Sequence, residues 1–274
     1  MIGDHAGLAE ASRLGLLPRN VRRAVVHGNP DRVTEQAKLL EYATKVAEKR
    51  GFTTYAGKFH GVDVLISSIG MGTGSAAIVI EELRDIGIDK IIRIGTCGAY
   101  LRDMKPGDLA VPTASLVDSS ALRYISPDYL HNWSTTELPP WASMRDGFVF
   151  VDGFDEVKNA ITKSLDEEVR GMSHQFEHKY SVGPIHDKDV LHAWREEFSL
   201  RPTELTKLKE KVKGITIATD METGALFTIS HLRSMRSGSI LTAVDFLADE
   251  EKVKAQDEGL QIAYRASLTA ITRL

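Results

Sequence analysis

Short runs rich in valine and isoleucine alternate with longer segments of helical period, and this alternation restricts the fold more than any other feature of the chain. The runs predict buried strands at residues 23–26, 62–69, 90–94, 108–111, 180–185, 215–218 and 239–244. Helices are predicted at residues 75–85, 156–165, 203–213, 222–232 and 255–274. Continuously apolar strands separated by helices are typical of a largely parallel sheet that is covered on both faces. The sequence therefore predicts an α/β fold.

The composition excludes several classes of protein. Hydrophobic residues make up 42% of the 274-residue chain, which is too many for a disordered segment. A net charge of -4, from 34 basic and 38 acidic residues, gives no electrostatic footprint for nucleic acid. No apolar stretch approaches the ~20 residues that a membrane span needs. Because Cys97 is the single cysteine, no intrachain disulfide can form. We expect a cytoplasmic protein with no membrane or nucleic-acid partner.

The first candidate ligand contact is the segment Gly28-Asn29-Pro30-Asp31-Arg32, directly after the first predicted strand. A strand that passes through a glycine turn into a helix near Pro30 directs free backbone N–H groups toward an anion. Arg32 would add a forked, charge-assisted contact to phosphate. An ordinary strand-to-helix turn explains the same residues, so both interpretations stay open here.

A second candidate is the glycine run Gly70, Gly72 and Gly74 at the end of strand 62–69. Its spacing is not that of the dinucleotide fingerprint, and no Lys-Ser or Lys-Thr pair follows as in a P-loop. The glycines allow close approach of a ligand to the backbone, or they form a tight turn with close helix–strand packing. The sequence leaves both alternatives open.

Arg93 lies inside an apolar strand, where a guanidinium is costly unless it is paired or faces a ligand. Thr96 follows at the carboxyl end of the strand, where open α/β sheets bind ligands. We therefore interpret Arg93 and Thr96 as ligand contacts. Cys97 is interpreted as a small packed residue and not as a nucleophile, because nothing in the sequence favours its thiolate.

Carboxylates follow two late predicted strands. Asp220 and Glu222 bracket Met221 after strand 215–218, and Asp245 follows strand 239–244. Carboxylates only accept hydrogen bonds, which suits them to the vicinal hydroxyls of a sugar. The same groups also stabilise the N-terminus of a following helix, so the first two have two possible roles.

Metal-binding patterns are lacking. His174 and His178 are spaced as i and i+4 without a His-Glu-x-x-His sequence, and we interpret them as a structural pair. No cysteine pair is available for zinc. The sequence predicts no metal site.

Taken in order, these segments resemble the nucleoside phosphorylase family, which includes uridine phosphorylase and the hexameric purine nucleoside phosphorylases. The likeness extends from about Val21 to the C-terminus and is strongest over 50–55, 69–83, 91–99, 105–115 and 219–227. The resemblance implies a three-layer αβα sandwich around a mixed, largely parallel, twisted sheet. It also implies a pentosyltransferase that cleaves the N-glycosidic bond of a nucleoside, with inorganic phosphate as co-substrate and no cofactor. The products would be a free base and (deoxy)ribose 1-phosphate.

The resemblance assigns site residues to three groups, one for each part of the substrates. For phosphate they are Gly28, Arg32, Arg93 and Thr96, together with Arg50 reaching into a neighbouring subunit. For ribose they are Met71, Met221 and Glu222. For the base they are Cys97, Gly98, Leu191 and Asp245. The catalytic roles fall to Asp245 and Arg93.

The signals for the identity of the base conflict. Asp245 matches the aspartate that donates a proton or hydrogen bond to purine N7 in the purine enzymes. Segments 52–55, 113–115 and 186–189 are more similar to the uridine phosphorylases, and the whole chain leans narrowly toward uridine. The glutamine and arginine that bind uracil in bacterial uridine phosphorylases have no recognisable match after Asp189.

Two further positions depart from the family. Leu191 and His192 stand where an aromatic pair is usual, which removes a stacking contact. The early histidine near the ribose 5′-hydroxyl has no clear match. Two alternatives to a uridine phosphorylase therefore remain: a purine nucleoside phosphorylase that uses Asp245, and a low-turnover nucleoside-binding protein on the same scaffold.

The expected site residues are spread from position 28 to position 245, so we expect residues 1–274 to form one domain. Residues 126–147, rich in proline and tryptophan, are predicted to be an irregular surface excursion. The resemblance also implies a homo-oligomer used in nucleoside salvage, at least a dimer and usually a hexamer built as a trimer of dimers.

Overall fold

The computed structural model describes residues 3–125, 138–170, 179–192, 194–245 and 249–274. Within these ranges the chain forms eleven strands and eight α-helices. The strands are β1 (Arg23–His27), β2 (Glu41–Lys49), β3 (Phe52–Phe59), β4 (Val62–Ser68), β5 (Lys90–Ala99), β6 (Leu109–Asp118), β7 (Ala142–Arg145), β8 (Phe148–Asp152), β9 (Tyr180–Lys188), β10 (Ala218–Asp220) and β11 (Arg236–Ala243). The helices are α1 (Leu8–Arg13), α2 (Pro30–Ala37), α3 (Thr73–Asp85), α4 (Leu122–Ile125), α5 (Asp155–Arg170), α6 (Pro202–Ile215), α7 (Thr223–Leu232) and α8 (Glu250–Arg273).

The strands form one mixed sheet in the order β2-β3-β4-β1-β5-β10-β9-β6-β8-β7, and β11 pairs with both β5 and β6. The pairings β4–β1–β5–β11 are parallel, whereas β10 runs antiparallel to β5. Strand β11 runs antiparallel to β6. Strands β5, β10, β9, β6 and β11 therefore close into a ring at the middle of the sheet.

Helices cover both faces of the sheet, as the α/β prediction requires. One apolar cluster joins the sheet to α3 and α7 and contains Ile80 and Phe227. The other joins it to α5 and α8 and contains Ile161 and Ile262. Successive strand residues point to opposite faces, so neighbouring isoleucines of β5 belong to different clusters. Burying each such side chain stabilises the fold by about 2 kcal/mol.

Several elements differ from the sequence prediction. Residue 215 ends α6, and the strand predicted at 215–218 is the short β10 at Ala218–Asp220. The hairpin of β2 and β3 was not predicted, because the first five residues of β2 are exposed and carry no apolar alternation. Within the predicted excursion, Ala142–Arg145 forms β7, while residues 126–137 lie outside the described residues. His174 and His178 also lie outside them.

No helix among the described residues is both long enough and apolar enough to cross a membrane.

Candidate functional site

The centre of the candidate site is the buried guanidinium of Arg93, which is 3% exposed. Its Nη1 donates to Asp220 Oδ2 at 2.8 Å, and its Nη2 donates to Glu222 Oε2. Its Nε has no hydrogen-bond partner among the described residues. A Cβ atom on Gly95 would lie 2.5 Å from Nη1, so the glycine provides the space that the guanidinium occupies. Arg93, within β5, is thus held by two carboxylates, with its Nε–H left for a further acceptor.

Glu222 connects Arg93 to the glycine run. Its Oε1 accepts from the Gly72 N–H at 2.7 Å. Gly70 and Gly72 have φ values of 71° and 80°, a region that favours glycine. The Met221 methyl group lies 4.0 Å from the place of a Cβ on Gly72. The glycine run is therefore a tight turn that is fixed by a carboxylate of the site, and its prediction as a ligand contact remains open.

The two carboxylates bracketing Met221 have different roles. Asp220 Oδ2 accepts from Thr223 N at 3.2 Å and from Thr223 Oγ1 at 2.6 Å, which stabilises the start of α7. Glu222 makes no side-chain capping bond to this helix. Asp220, which the sequence prediction left out of the site residues, thus binds both the start of α7 and Arg93. Glu222 instead bridges Arg93 and the Gly72 N–H.

Burial and charge act against each other in this cluster. Burial opposes the charge on Arg93, but the carboxylates of Glu222, Asp220 and Asp187 raise the pKa of Arg93 above its ordinary value. Burial raises the pKa of Asp220, Arg93 opposes that rise, and Glu222 adds to it. A group of acids around one guanidinium favours retention of the positive charge that an anionic substrate requires.

The turn that follows β1 lies against the glycine run. A Cβ on Gly28 would lie 3.3 Å from the Gly70 carbonyl oxygen, so the two turns touch. Asn29 accepts from the Asp31 N–H at 2.8 Å and caps α2, with Pro30 in its first turn. Arg32 is half-buried in that turn and has no ion-pair partner among the described residues. The anion contact predicted for this turn stays a prediction.

The remaining predicted phosphate and ribose residues lie at the same edge. Arg50 is exposed in the turn between β2 and β3, with no ion pair to any described residue. Phe52, at the start of β3, lies 3.3 Å from the place of a Cβ on Gly70, so the hairpin adjoins the glycine run. Met71 is 82% exposed in that run. Thr96 is half-buried beside Thr242, its register partner in β11.

A cavity of about 580 Å³ opens beside the carboxyl ends of β5 and β11. Gly98, Met104, Arg195 and Asp245 are among its lining residues. Asp245 Oδ2 is 3.2 Å from Lys252 Nζ. The structure therefore brings two of the predicted base residues, Gly98 and Asp245, into one cavity.

The other two predicted base residues lie elsewhere. Cys97 is 2% exposed and packs in an apolar cluster with Ile185 and Leu241. Burial raises the pKa of its thiol, in agreement with a packing role. Leu191 is 40% exposed in the turn after β9 and is not one of the residues that line the cavity.

Arg195 is a cavity residue that the sequence prediction missed. Its Nε donates to Glu197 Oε1 at 2.6 Å, and both side chains are 52% exposed. Exposed ion pairs contribute little, so a ligand can replace Glu197 as the partner of this guanidinium. Nothing in the local sequence distinguishes Arg195 from a surface arginine, because its place depends on tertiary packing.

A hydrogen-bonded group anchors the segment that carries Arg195. The Trp194 Nε1–H donates to Asp118 Oδ2 at 3.1 Å, and the Trp194 ring lies edge-on to the buried His186 ring at 4.3 Å. His186 contacts Tyr100 Oη at 3.1 Å through Nδ1 and Asp118 Oδ2 at 3.4 Å through Nε2. Arg195 therefore follows directly after a residue that is held on the end of β9.

Among the described residues no group of three or more histidine, cysteine or acidic side chains is arranged to hold a metal ion.

Comparisons with known proteins identify the family of the chain. The phosphorylase superfamily model matches residues 22–273. A guanosine phosphorylase from Halorubrum lacusprofundi is 27% identical over 261 residues, which cover 92% of this chain and 93% of the relative. Uridine phosphorylase from Escherichia coli is 37% identical over 120 residues, 42% of this chain and 47% of the relative. The crystal structure of uridine phosphorylase from Vibrio fischeri aligns with a TM-score of 0.71 and 26% identity, over 92% of this chain and 91% of that chain. The chain therefore belongs to the nucleoside phosphorylase family, whose enzymes transfer a pentosyl group from a nucleoside to phosphate.

Proposed function

We propose that the site around Arg93 binds inorganic phosphate for attack on the anomeric carbon of a nucleoside. The observation that carries this proposal is the buried, rigidly held guanidinium of Arg93 beside the backbone turns at Gly28 and Gly72. Arg32 lies in the first turn of α2 and supplies a second positive charge without a described partner. Backbone N–H groups at a helix start add to the attraction for an anion.

Phosphate bound here performs two tasks. It is the nucleophile, held at the reacting carbon so that the reaction becomes effectively unimolecular. Its negative charge also stabilises the positive charge that develops on the sugar as the glycosidic bond stretches. Glu222 and the Met221 side chain, next to Gly72, hold the ribose at that point. The bond to the base breaks, and the pentosyl group is transferred to a phosphate oxygen.

The base site favours a 6-oxopurine. Arg195 and Asp245 line one cavity, so a guanidinium donor and a carboxyl group face the same ligand space. The O6 and N7 atoms of guanine or hypoxanthine are adjacent acceptors, which this pair of groups matches when Arg195 donates to O6 and the Asp245 carboxylic acid donates to N7. Asp245, which is paired with Lys252 Nζ in this structure, acts here in its protonated form; transfer of that proton to N7 neutralises the departing base and leaves the Asp245 carboxylate beside Lys252. The full-length similarity to a guanosine phosphorylase supports the same assignment.

Uridine is the second candidate substrate. Its support is the 37% identity with the Escherichia coli uridine phosphorylase over 120 residues. Uracil offers Arg195 a carbonyl acceptor but has no imidazole nitrogen for Asp245. The two candidates therefore predict different consequences for a change at Asp245.

One assay panel tests the proposal. Inosine, guanosine, adenosine, 5′-methylthioadenosine, uridine and thymidine are each incubated with and without phosphate, and pentose 1-phosphate is measured. We expect product from guanosine or inosine only with phosphate. Equal cleavage without phosphate would identify a nucleosidase, and nucleoside binding with no product would identify a binding protein on this scaffold.

The Asp245→Asn variant separates the two bases. If Asp245 protonates N7, its kcat on a purine nucleoside falls by about 100-fold or more. Its kcat on uridine is expected to change little. The Asp249→Asn variant is a suitable control for the loss of one acid, because Asp249 caps α8 outside the cavity. An unchanged kcat on the preferred purine nucleoside would remove Asp245 from the mechanism.

We also propose a single-domain subunit that assembles as a homo-oligomer in the cytoplasm and serves nucleoside salvage. Arg50 supports the assembly, because it is exposed in a hairpin turn at the site edge and has no described ion-pair partner. Light scattering of the purified protein measures the assembly. If a neighbouring subunit supplies Arg50, the Arg50→Ala variant raises the KM for phosphate while its oligomer stays intact.

A further inference from the structure

Asp187 is a buried carboxyl group that the proposed reaction does not use. It lies on β9 directly opposite Asp220 of β10, and it is 0% exposed. Neither of its oxygens meets hydrogen-bond geometry with a described residue, although the Ser119 hydroxyl and the Gly224 N–H lie nearby. A Cβ on Gly224 would lie 2.4 Å from Asp187 Oδ2, so the start of α7 closes over the carboxyl group.

The surroundings of Asp187 contain more negative than positive charge. Arg93 of β5 is the positive group on this side, and both of its ion pairs are with other acids, Asp220 and Glu222. Lys188, the next residue of β9, is a second positive group whose charge acts on Asp220 and Asp118, and burial lowers its pKa. The charged groups that act on Asp187 are therefore Arg93, Asp220 and Glu222, with Lys188 acting on Asp220 beside it and with Ser119 and the Gly224 N–H as neutral neighbours.

Burial is the largest cause that raises the pKa of Asp187 well above its ordinary value, and the charges of Asp220 and Glu222 raise it further. The Ser119 hydroxyl and the Gly224 N–H act in the opposite direction. A carboxyl group without its own cation in this position carries a proton more readily than an ordinary aspartate.

We propose that Asp187 makes phosphate binding at Arg93 dependent on pH: the site accepts the anion when Asp187 carries a proton, and loss of that proton weakens phosphate binding. An ionised Asp187 adds a third negative charge beside Arg93 and repels the incoming anion across a poorly screened interior. By linkage, bound phosphate in turn favours the protonated carboxyl group. This inference rests on the proposed function, because it takes Arg93 as the phosphate-binding residue.

The test measures anion binding without turnover. Sulfate keeps the same charge across the neutral range, so the pH dependence of its Kd belongs to the protein. Titration calorimetry over a range of pH is expected to show a Kd for the wild-type protein that rises by about tenfold as Asp187 ionises, at a pH above that at which an ordinary aspartate loses its proton. In Asp187→Asn this rise is expected to be much smaller, because Asp220, whose pKa burial raises to about 6, is then the one acid with a raised pKa beside Arg93 among the described residues.

Two further variants make the result unambiguous. Asp189→Asn, two residues further along the chain, where the half-buried Asp189 accepts from the Ser120 N–H, is expected to keep the wild-type pH profile. Asp187→Ser removes the charge with a smaller side chain and serves if the asparagine variant fails to fold, which circular dichroism reports. It is expected to show the same reduced dependence on pH.

The outcomes separate the two proposals. If neither sulfate nor phosphate binds to the wild-type protein, the proposed phosphate site is wrong. If sulfate binds but Asp187→Asn and Asp187→Ser keep the wild-type slope against pH, the role of Asp187 is wrong and the phosphate site stands. Weaker binding of both variants at every pH would also overturn the inference, because it would mean that the site needs the Asp187 carboxyl group itself.

Discussion

The contact between Gly95 and Arg93 gives the sharpest test of the site. In Gly95→Ala, the new methyl group would lie 2.5 Å from Arg93 Nη1 and 2.7 Å from Cζ. Non-bonded heavy atoms normally stand about 3.5 Å apart, so the guanidinium must move by about 1 Å. Such a movement stretches the 2.8 Å bond between Nη1 and Asp220 beyond hydrogen-bond length.

The size of the effect follows from the interaction that is lost. A buried hydrogen bond between charged groups contributes about 1.5–3 kcal/mol. We therefore expect the free energy of unfolding to fall by about 2 kcal/mol and kcat/KM for phosphate to fall by about 10- to 100-fold. Urea unfolding gives the first value, and initial rates at varied phosphate concentration give the second.

Gly74→Ala is the matched control for this change. Gly74 lies in the first turn of α3, close to the site in sequence, and a Cβ there meets no atom within 4 Å. Alanine also favours a helix over glycine, so stability should stay the same or rise. If Gly95→Ala matches Gly74→Ala in stability and in kcat/KM for phosphate, the placement of the Arg93 guanidinium against Gly95 is wrong.

Two other changes test groups beside this centre. Burial lowers the pKa of His27 to about 3, with Gln36 opposing the shift, so the unfolded chain takes up a proton on this residue before the folded chain does. Stability that is present above about pH 6.5 is then lost as the pH falls, at about 1.4 kcal/mol per pH unit. Between about pH 6.5 and about pH 5, the free energy of unfolding of His27→Gln, measured by urea unfolding, should therefore fall by about 2 kcal/mol less than that of the wild type. Equal losses would contradict the burial of a neutral imidazole. For Arg195→Gln we expect the KM for the nucleoside to rise by about 10- to 100-fold, with little change in the KM for phosphate. The control Arg201→Gln, at a side chain that is 79% exposed, is expected to change neither KM. Equal effects of the two variants would remove Arg195 from the base site.

The sequence predicted those parts of the molecule that depend on local pattern. Valine- and isoleucine-rich runs located β1, β4, β5 and β11, because strands buried on both faces need continuous apolar residues. The high cost of burying an unpaired arginine identified Arg93 as a site residue candidate, and the structure gives it two carboxylate partners. The family resemblance is confirmed by the match over residues 22–273.

Features that depend on long-range packing escaped prediction. The place of Arg195 depends on the bond between Trp194 and Asp118, which are 76 positions apart in sequence. The environment of Asp187 depends on the pairing of β9 with β10 and on the glycine at the start of α7. A single sequence contains no periodic signal for either contact. Each contact joins elements that are far apart in the chain and become neighbours only through the strand order of the sheet.

The direction of β10 explains how a buried arginine is tolerated at this site. Strand β10 runs antiparallel to β5, with Thr219 opposite Gly98. The next residue, Asp220, therefore lies further back along β5, toward the guanidinium that folds over Gly95. A strand parallel to β5 would advance in the opposite direction, at about 3.3 Å per residue, and would carry the carboxylate away from the guanidinium. The antiparallel strand β10 thus brings Asp220 to Arg93, and this carboxylate favours the charged guanidinium. Because Asp187 of β9 is the register partner of Asp220, the same arrangement places Asp187 close enough to influence which anions Arg93 binds.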